Sequence, residues 1–202
     1  EIRLSLVGSE MCIRDRIYMG SRSGGFWRTF DGGANWQNTT DFLFASGVNA
    51  MDASPTNADS VLINVRNASN STSHGIYRSG DAGTTWTPTN FVPSNIGWGG
   101  LGSAEYVYKI AYHPTIANLV FIGTSRGLYR STNNLQTWTL LLSTADITDI
   151  EFHPSSPNII YLYDNYYWGT NRSVVLRSTD FGLTFNPSAT IAGNNDSEGF
   201  IA

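Results

Sequence analysis

The sequence predicts an all-β protein built from about four four-stranded units, the blades of a β-propeller fragment. Three observations predict it. A ten-residue phrase occurs four times in the 202 residues, at 27–36, 77–86, 129–138 and 176–185. Its fifth residues, Asp31, Asp81, Asn133 and Asp180, stand 50, 52 and 47 residues apart. Between the copies lie short β-branched and aromatic runs, and no segment keeps apolar residues at helical spacing. Four-stranded units at a period of about 40 to 50 residues are propeller blades.

Within a unit, the first strand ends at His-Pro or Ser-Pro, as in 107–114, 147–154 and 48–55. The second is an apolar run, at 118–123, 158–163 and 60–65. The third enters the recurring phrase, and the fourth leaves at its final aromatic residue. The blades are accordingly expected at about 17–47, 48–106, 107–146 and 147–190, followed by the start of a further connection. Since closed propellers use about four to eight blades, and commonly six or more, 17–202 is expected to be part of a larger propeller.

The phrase has the grammar Ser/Thr-x-Asp-x-Gly-x-Thr-Trp and reads as a hairpin turn. Its Asp side chain can accept N–H groups of its own turn, and its Gly supplies positive φ at little cost. The closing Trp36, Trp86, Trp138 and Phe185 are expected to bury their rings against a neighbouring layer. In the third copy Asn133 can still cap, but Leu135 replaces the Gly, so that turn must differ or carry strain.

Residues 1–16 do not fit the repeat, which resumes at Ile17. The first strand of the first blade is expected to be missing, and 5–16 resembles a peptide translated from sequencing-adapter DNA. This segment is therefore read as non-native, with the true N-terminus absent. It contains Cys12, the single cysteine. Without it, no disulfide is possible and the redox compartment stays open. One lysine (Lys109), a formal net charge of −4 and an Asn/Ser/Thr/Gly-rich composition suit a bacterial extracellular or cell-surface protein. That charge argues against general nucleic-acid binding, and no apolar run suggests membrane insertion. Five Asn-x-Ser/Thr sequons are expected by chance in such a composition.

The phrase resembles the Asp-box, or bacterial neuraminidase repeat, over about residues 17–187. That family includes sialidases, family-74 xyloglucanases, sortilin-type propellers and many secreted bacterial propellers. The resemblance implies a propeller fold and structural roles for Asp31, Trp36, Asp81, Trp86, Asn133, Trp138, Asp180 and Phe185. It selects no activity, because enzymes and non-enzymes share the box.

Propeller connectivity puts the phrases and the His-Pro turns on one edge of the sheets. His113 and His153 share a repeat position with Ser54, and Arg28, Arg78, Arg130 and Arg177 share another, so both sets are read as structural. Residues that break the repeat fall on the other edge, in the connections 90–106 and 164–172. Trp98, Tyr106, Tyr166, Tyr167 and Trp168, with Asp164, suit sugar recognition by ring stacking and hydrogen bonding. Arg22, Arg66, Arg126 and Arg172 recur near the connection between the second and third strands and could face an anion. Sialidases use an arginine triad of that general kind, but their Arg-Ile-Pro element is absent here. Glycoside hydrolysis needs two carboxylates about 5 to 10 Å apart. Glu105 and Asp164 are the candidates, with Asp146 behind them. No metal site, cofactor motif or Ser-His-Asp spacing is present.

The expected function is an extracellular glycan- or protein-binding module rather than an enzyme in itself. The alternatives are a family-74-like or sialidase-like glycoside hydrolase with an incomplete active site, and a structural domain of a large secreted protein.

Overall fold

The computed structural model describes residues 2–6, 15–43, 47–68, 73–97, 106–143, 146–167 and 172–191. These residues hold sixteen strands and no helix, paired in chain order into four antiparallel sheets of four. The first sheet is β1 (Ile2–Leu6), β2 (Ile17–Ser21), β3 (Gly25–Thr29) and β4 (Gln37–Asn38). The second is β5 (Gly47–Ala53), β6 (Val61–Arg66), β7 (Ser73–Ser79) and β8 (Thr87–Pro88). The third is β9 (Val107–Tyr112), β10 (Val120–Thr124), β11 (Gly127–Ser131) and β12 (Thr139–Leu142). The fourth is β13 (Ile147–Phe152), β14 (Ile160–Tyr167), β15 (Arg172–Ser178) and β16 (Asn186–Ile191). The chain divides into two compact units, Glu1–Glu105 and Tyr106–Ala202, each holding two sheets.

Two elements differ from expectation. The first sheet does not lack its first strand, because β1 pairs with β2, Leu4 lying opposite Met19. Ile2, Leu4 and Leu6 alternate with Arg3 and Ser5, the period of a strand. Asp15 also falls into the repeat, two residues before its sheet's second strand like Asp59, Asn118 and Asn158. The second difference is in 164–172, expected as a loop. There β14 runs to Tyr167 and β15 starts at Arg172, with a register shift between Asp164 and Tyr167. Consecutive tyrosines favour extended backbone, and they prolong the hairpin.

In each unit the core lies between its two sheets. In the first, Tyr18 and Phe26 pack with Val48, Met51, Ile63 and Trp86. The Trp86 indole meets Phe26 edge-on at 4.8 Å and donates to Thr39 Oγ1 at 3.1 Å. In the second, Phe121, Leu128, Ile147, Ile150, Leu162 and Leu176 form the core, with Phe185 packed against it. Lys109 on β9 adds a half-buried bridge to β13, through Asp149 at 2.9 Å and Glu151 at 3.0 Å.

The recurring phrase folds into one turn four times. The Ser79 hydroxyl donates to Asp81 Oδ1 and accepts the N–H of Gly83, at 2.7 Å each. Asp81 in turn accepts the Thr85 N–H at 2.9 Å. The same bonds join Thr29, Asp31, Gly33 and Asn35, and Ser178, Asp180, Gly182 and Thr184. Two successive left-handed residues follow the cap: Gly32 and Gly33, Ala82 and Gly83, Asn134 and Leu135, Phe181 and Gly182. The first of each pair donates its N–H across the edge, to Asp15, Asp59, Asn118 and Asn158 carbonyls respectively.

The third copy keeps this geometry. Leu135 sits at φ 65° and is completely buried. A left-handed non-glycine residue costs about 1–2 kcal/mol, and burying a leucine returns about 1.5–3 kcal/mol. The turn is thus strained and compensated.

The turns also tie neighbouring sheets together. Arg28 on β3 donates to Ala82 O at 2.9 Å and Thr84 Oγ1 at 2.6 Å, in the turn of the second sheet. A Cβ on Gly83 would collide with the Phe26 ring, and one on Gly182 with Phe121. Glycine is needed at both places for approach as well as for φ.

Candidate functional site

The edge opposite the turns is built differently at each sheet. In the second unit, Tyr106 and Asp146 each precede a first strand, and Ser125 and Asn165 each follow the fifth residue of a second strand. Backbone bonds pair these positions: Ser125 N–H donates to Tyr106 O at 3.0 Å, and Asn165 N–H to Asp146 O at 2.9 Å. The return bond is made by a side chain in both cases. Ser125 Oγ accepts the Tyr106 N–H at 2.9 Å, and Asp164 Oδ1 accepts the Asp146 N–H at 2.9 Å.

Above this frame, half-buried Tyr106 and Tyr108 stack with ring centroids 5.8 Å apart and planes 27° apart. Arg126 is exposed on the turn between β10 and β11, its N–H bonded to Thr124 Oγ1 at 3.1 Å. Burial raises the Asp146 carboxyl above the ordinary carboxylate range and the Asp164 charge adds to this, while a Tyr108 hydrogen bond works against them. The arrangement offers an aromatic surface edged by hydrogen-bonding groups and one guanidinium.

Of the residues singled out in the sequence, Tyr106 and Arg126 lie on this edge with accessible side chains. Asp164 lies at the same edge but is 1% exposed and braces the Asp146 backbone. Tyr166, Tyr167 and Arg172 are placed as strand backbone at the end of the β14–β15 hairpin. Trp98, Glu105 and Trp168 lie outside the described residues. In the first unit, Arg22 is exposed on the turn after β2, whereas Arg66 is 7% exposed. The Arg22 carbonyl and the Arg66 side chain flank Gly47, where any Cβ would strike them.

Tyr108, Ser125 and Asn165 were missed. Superposing the repeats in the sequence would have found Ser125 and Asn165, because Arg22, Arg66, Ser125 and Asn165 occupy one repeat position; no such signal marks Tyr108. The histidine at the opposite edge has a structural part. His113 is buried, its Nδ1 accepts the Ile116 N–H at 3.0 Å, and its Nε2 lies 3.1 Å from Pro157 O. Among the described residues no three His, Cys, Asp or Glu side chains are grouped to hold a metal ion. No helix among them is long and apolar enough to cross a membrane.

No family model matches the chain. A xyloglucanase from a Paenibacillus species is 28% identical over 140 residues, covering 64% of this chain and 13% of that enzyme. Among solved structures, the GH74 enzyme of Niastella koreensis matches with a TM-score of 0.68 and 26% identity, over 95% of this chain and 30% of its own. The GH74 xyloglucanase from Xanthomonas campestris matches with a TM-score of 0.63, covering 86% of this chain and 28% of its own. At 20% identity that likeness shows the fold alone. The four sheets are therefore blades of a propeller of the kind found in GH74 enzymes, and the chain spans a small part of those relatives.

Proposed function

We propose that this chain is a segment of an extracellular GH74-like glycoside hydrolase propeller, and that it holds a polysaccharide of the xyloglucan class rather than cleaving it by itself. The observation that carries this reading is the 26% identity to the Niastella koreensis GH74 enzyme over 95% of the chain. The carbohydrate would meet the edge built from Tyr106, Tyr108, Ser125, Arg126 and Asn165. A stacked tyrosine pair suits the apolar face of a pyranose, and the hydroxyl, amide and guanidinium groups suit its hydroxyls. The four turns are Asp-boxes on this reading and carry no chemistry: the carboxylates of Asp31, Asp81 and Asp180 and the amide of Asn133 are each bonded within their own turn.

Isothermal titration of the chain with xyloglucan oligosaccharides tests the reading. Binding without release of reducing ends is expected, and Tyr106→Ala should weaken it about fivefold, the loss of about 1 kcal/mol of stacking. No binding by the native sequence would reject the glycan reading. Unchanged binding by the variant would reject this edge, and release of reducing ends would make the segment an enzyme.

A further inference from the structure

The base of the β14–β15 hairpin is where two ladders lose register. The β13–β14 ladder shifts between Ile147 and Asp149, and the β14–β15 ladder between Asp164 and Tyr167. Asp146 occupies that spot and is held at two points through its backbone. Its N–H reaches Asp164 Oδ1 and its carbonyl receives the Asn165 N–H, while Tyr108 on β9 acts on its carboxyl in favour of the ionised form. Its Oδ1 is buried with no hydrogen-bond partner among the described residues. A buried carboxylate oxygen in that position is unfavourable ionised, and neutralising it removes most of the penalty.

Among the described residues, the groups around Asp146 compensate a negative charge only in part. From β14 comes the buried Asp164 carboxyl, which opposes ionisation. From β9 come Tyr108, a neutral donor, and Lys109, committed to Asp149 and Glu151 of β13. The segments β10 and β12 carry no titratable side chain, and Arg126 stands exposed on the turn after β10.

We propose that Asp146 is a proton-operated latch on the base of the β14–β15 hairpin, closed when its carboxyl is neutral and loosened when it is ionised. A raised folded-state value means that the latch is fully closed below the ordinary carboxyl range, about pH 4. It opens as pH rises through the raised value. Opening frees the Asn165 N–H and with it the strand that leads to Tyr166 and Tyr167. The inference is independent of any glycan reading, since both states are defined without ligand.

Amide hydrogen exchange on the 202-residue chain between pH 4 and 8, corrected for intrinsic rates, is the test. Protection of the Asn165 amide should fall about tenfold across the range relative to the His113 amide, which bonds to Leu119 O in the same unit. In Asp146→Asn it should stay within about twofold. Equal protection throughout in the native sequence, or the same fall in the variant, would overturn the proposal. The carboxyl carbon resonance of Asp146 gives a reading that needs no variant. It should titrate above the ordinary range and in step with the Asn165 amide, and titration at an ordinary aspartate value would sink the latch.

Discussion

Along the turn edge, four phrases of differing sequence reach one geometry, whereas along the opposite edge equivalent positions carry unrelated residues. At the turn edge a cap, two left-handed residues and a cross-edge N–H recur whether the left-handed pair is Gly-Gly, Ala-Gly, Asn-Leu or Phe-Gly. At the other edge one position holds Gly47, Tyr106 or Asp146, and its partner Arg66, Ser125 or Asn165. Backbone bonding is satisfied at both edges. The second and fourth turns also pack against a ring of the preceding sheet, Phe26 or Phe121, whereas inter-sheet contact at the opposite edge runs through backbone carbonyls, Arg22 O beside Gly47 and Ile147 O beside Gly123. Constraint at one edge leaves the other free to differ.

The edges also respond to acid in opposite senses. Thr29 and Asn35 hydrogen bonds hold Asp31 at about 2. Burial works against the same effect at Asp81, but Thr85 and Ser79 hydrogen bonds outweigh it and hold that carboxyl at about 2 as well. The Thr184 hydroxyl and N–H hold Asp180 well below the ordinary range. These three contribute stability above about pH 4 that is lost as pH falls toward about 2, the reverse of Asp146.

The comparison can be broken most sharply at the glycines. Gly83→Ala combines a left-handed penalty with a collision against Phe26 and should cost about 3 kcal/mol in urea unfolding. Gly33→Ala, whose Cβ would meet only Trp36 at 3.8 Å, should cost about 1 kcal/mol. Equal losses would show that inter-sheet packing is not what constrains the turn. Leu135→Gly relieves the backbone but empties a buried site, and a net loss of about 1–2 kcal/mol is expected. A gain in stability would mean that the strain is uncompensated. At the opposite edge, Ser125→Ala removes one acceptor and should lower the unfolding free energy by about 0.5–1 kcal/mol. A loss as large as that of Gly83→Ala would erase the distinction between the edges. The smallest effect is expected of Asn133→Asp. It should leave stability near pH 6 unchanged and add a further decline between pH 4 and 2, read from acid-unfolding curves. Identical curves would mean that the third turn does not cap through residue 133.

The four-sheet architecture was legible because each turn announces itself with an Asp or Asn cap and an aromatic closer. Alternation of Ile2, Leu4 and Leu6 was equally visible, but the odd sequence that follows masked it as a first strand. The strain at Leu135 could be anticipated, and its remedy could not, since burial depends on residues distant in the chain. Asp164 illustrates the same limit at the candidate site. A carboxylate beside tyrosines reads as a ligand contact, yet the fold turns it inward to brace a backbone N–H. Tyr108 was hidden for the opposite reason: inside a β-strand pattern, nothing marks a tyrosine whose ring stacks on the residue two before it.

The guanidinium of Arg28 has a consequence for how the molecule comes into being. Its acceptors at Ala82 lie 54 residues further along, so during synthesis the first sheet emerges with this group's inter-sheet contacts still unmade. At about 5–20 residues per second the ribosome needs several seconds to supply them. For that interval Arg28 has no acceptor in the second sheet, and docking of that sheet completes its bonds. In the second unit, the Asp180 charge on the turn of the fourth sheet acts on Arg130 of β11. A stall in translation between the first two sheets would leave Arg28 without these acceptors for as long as it lasts.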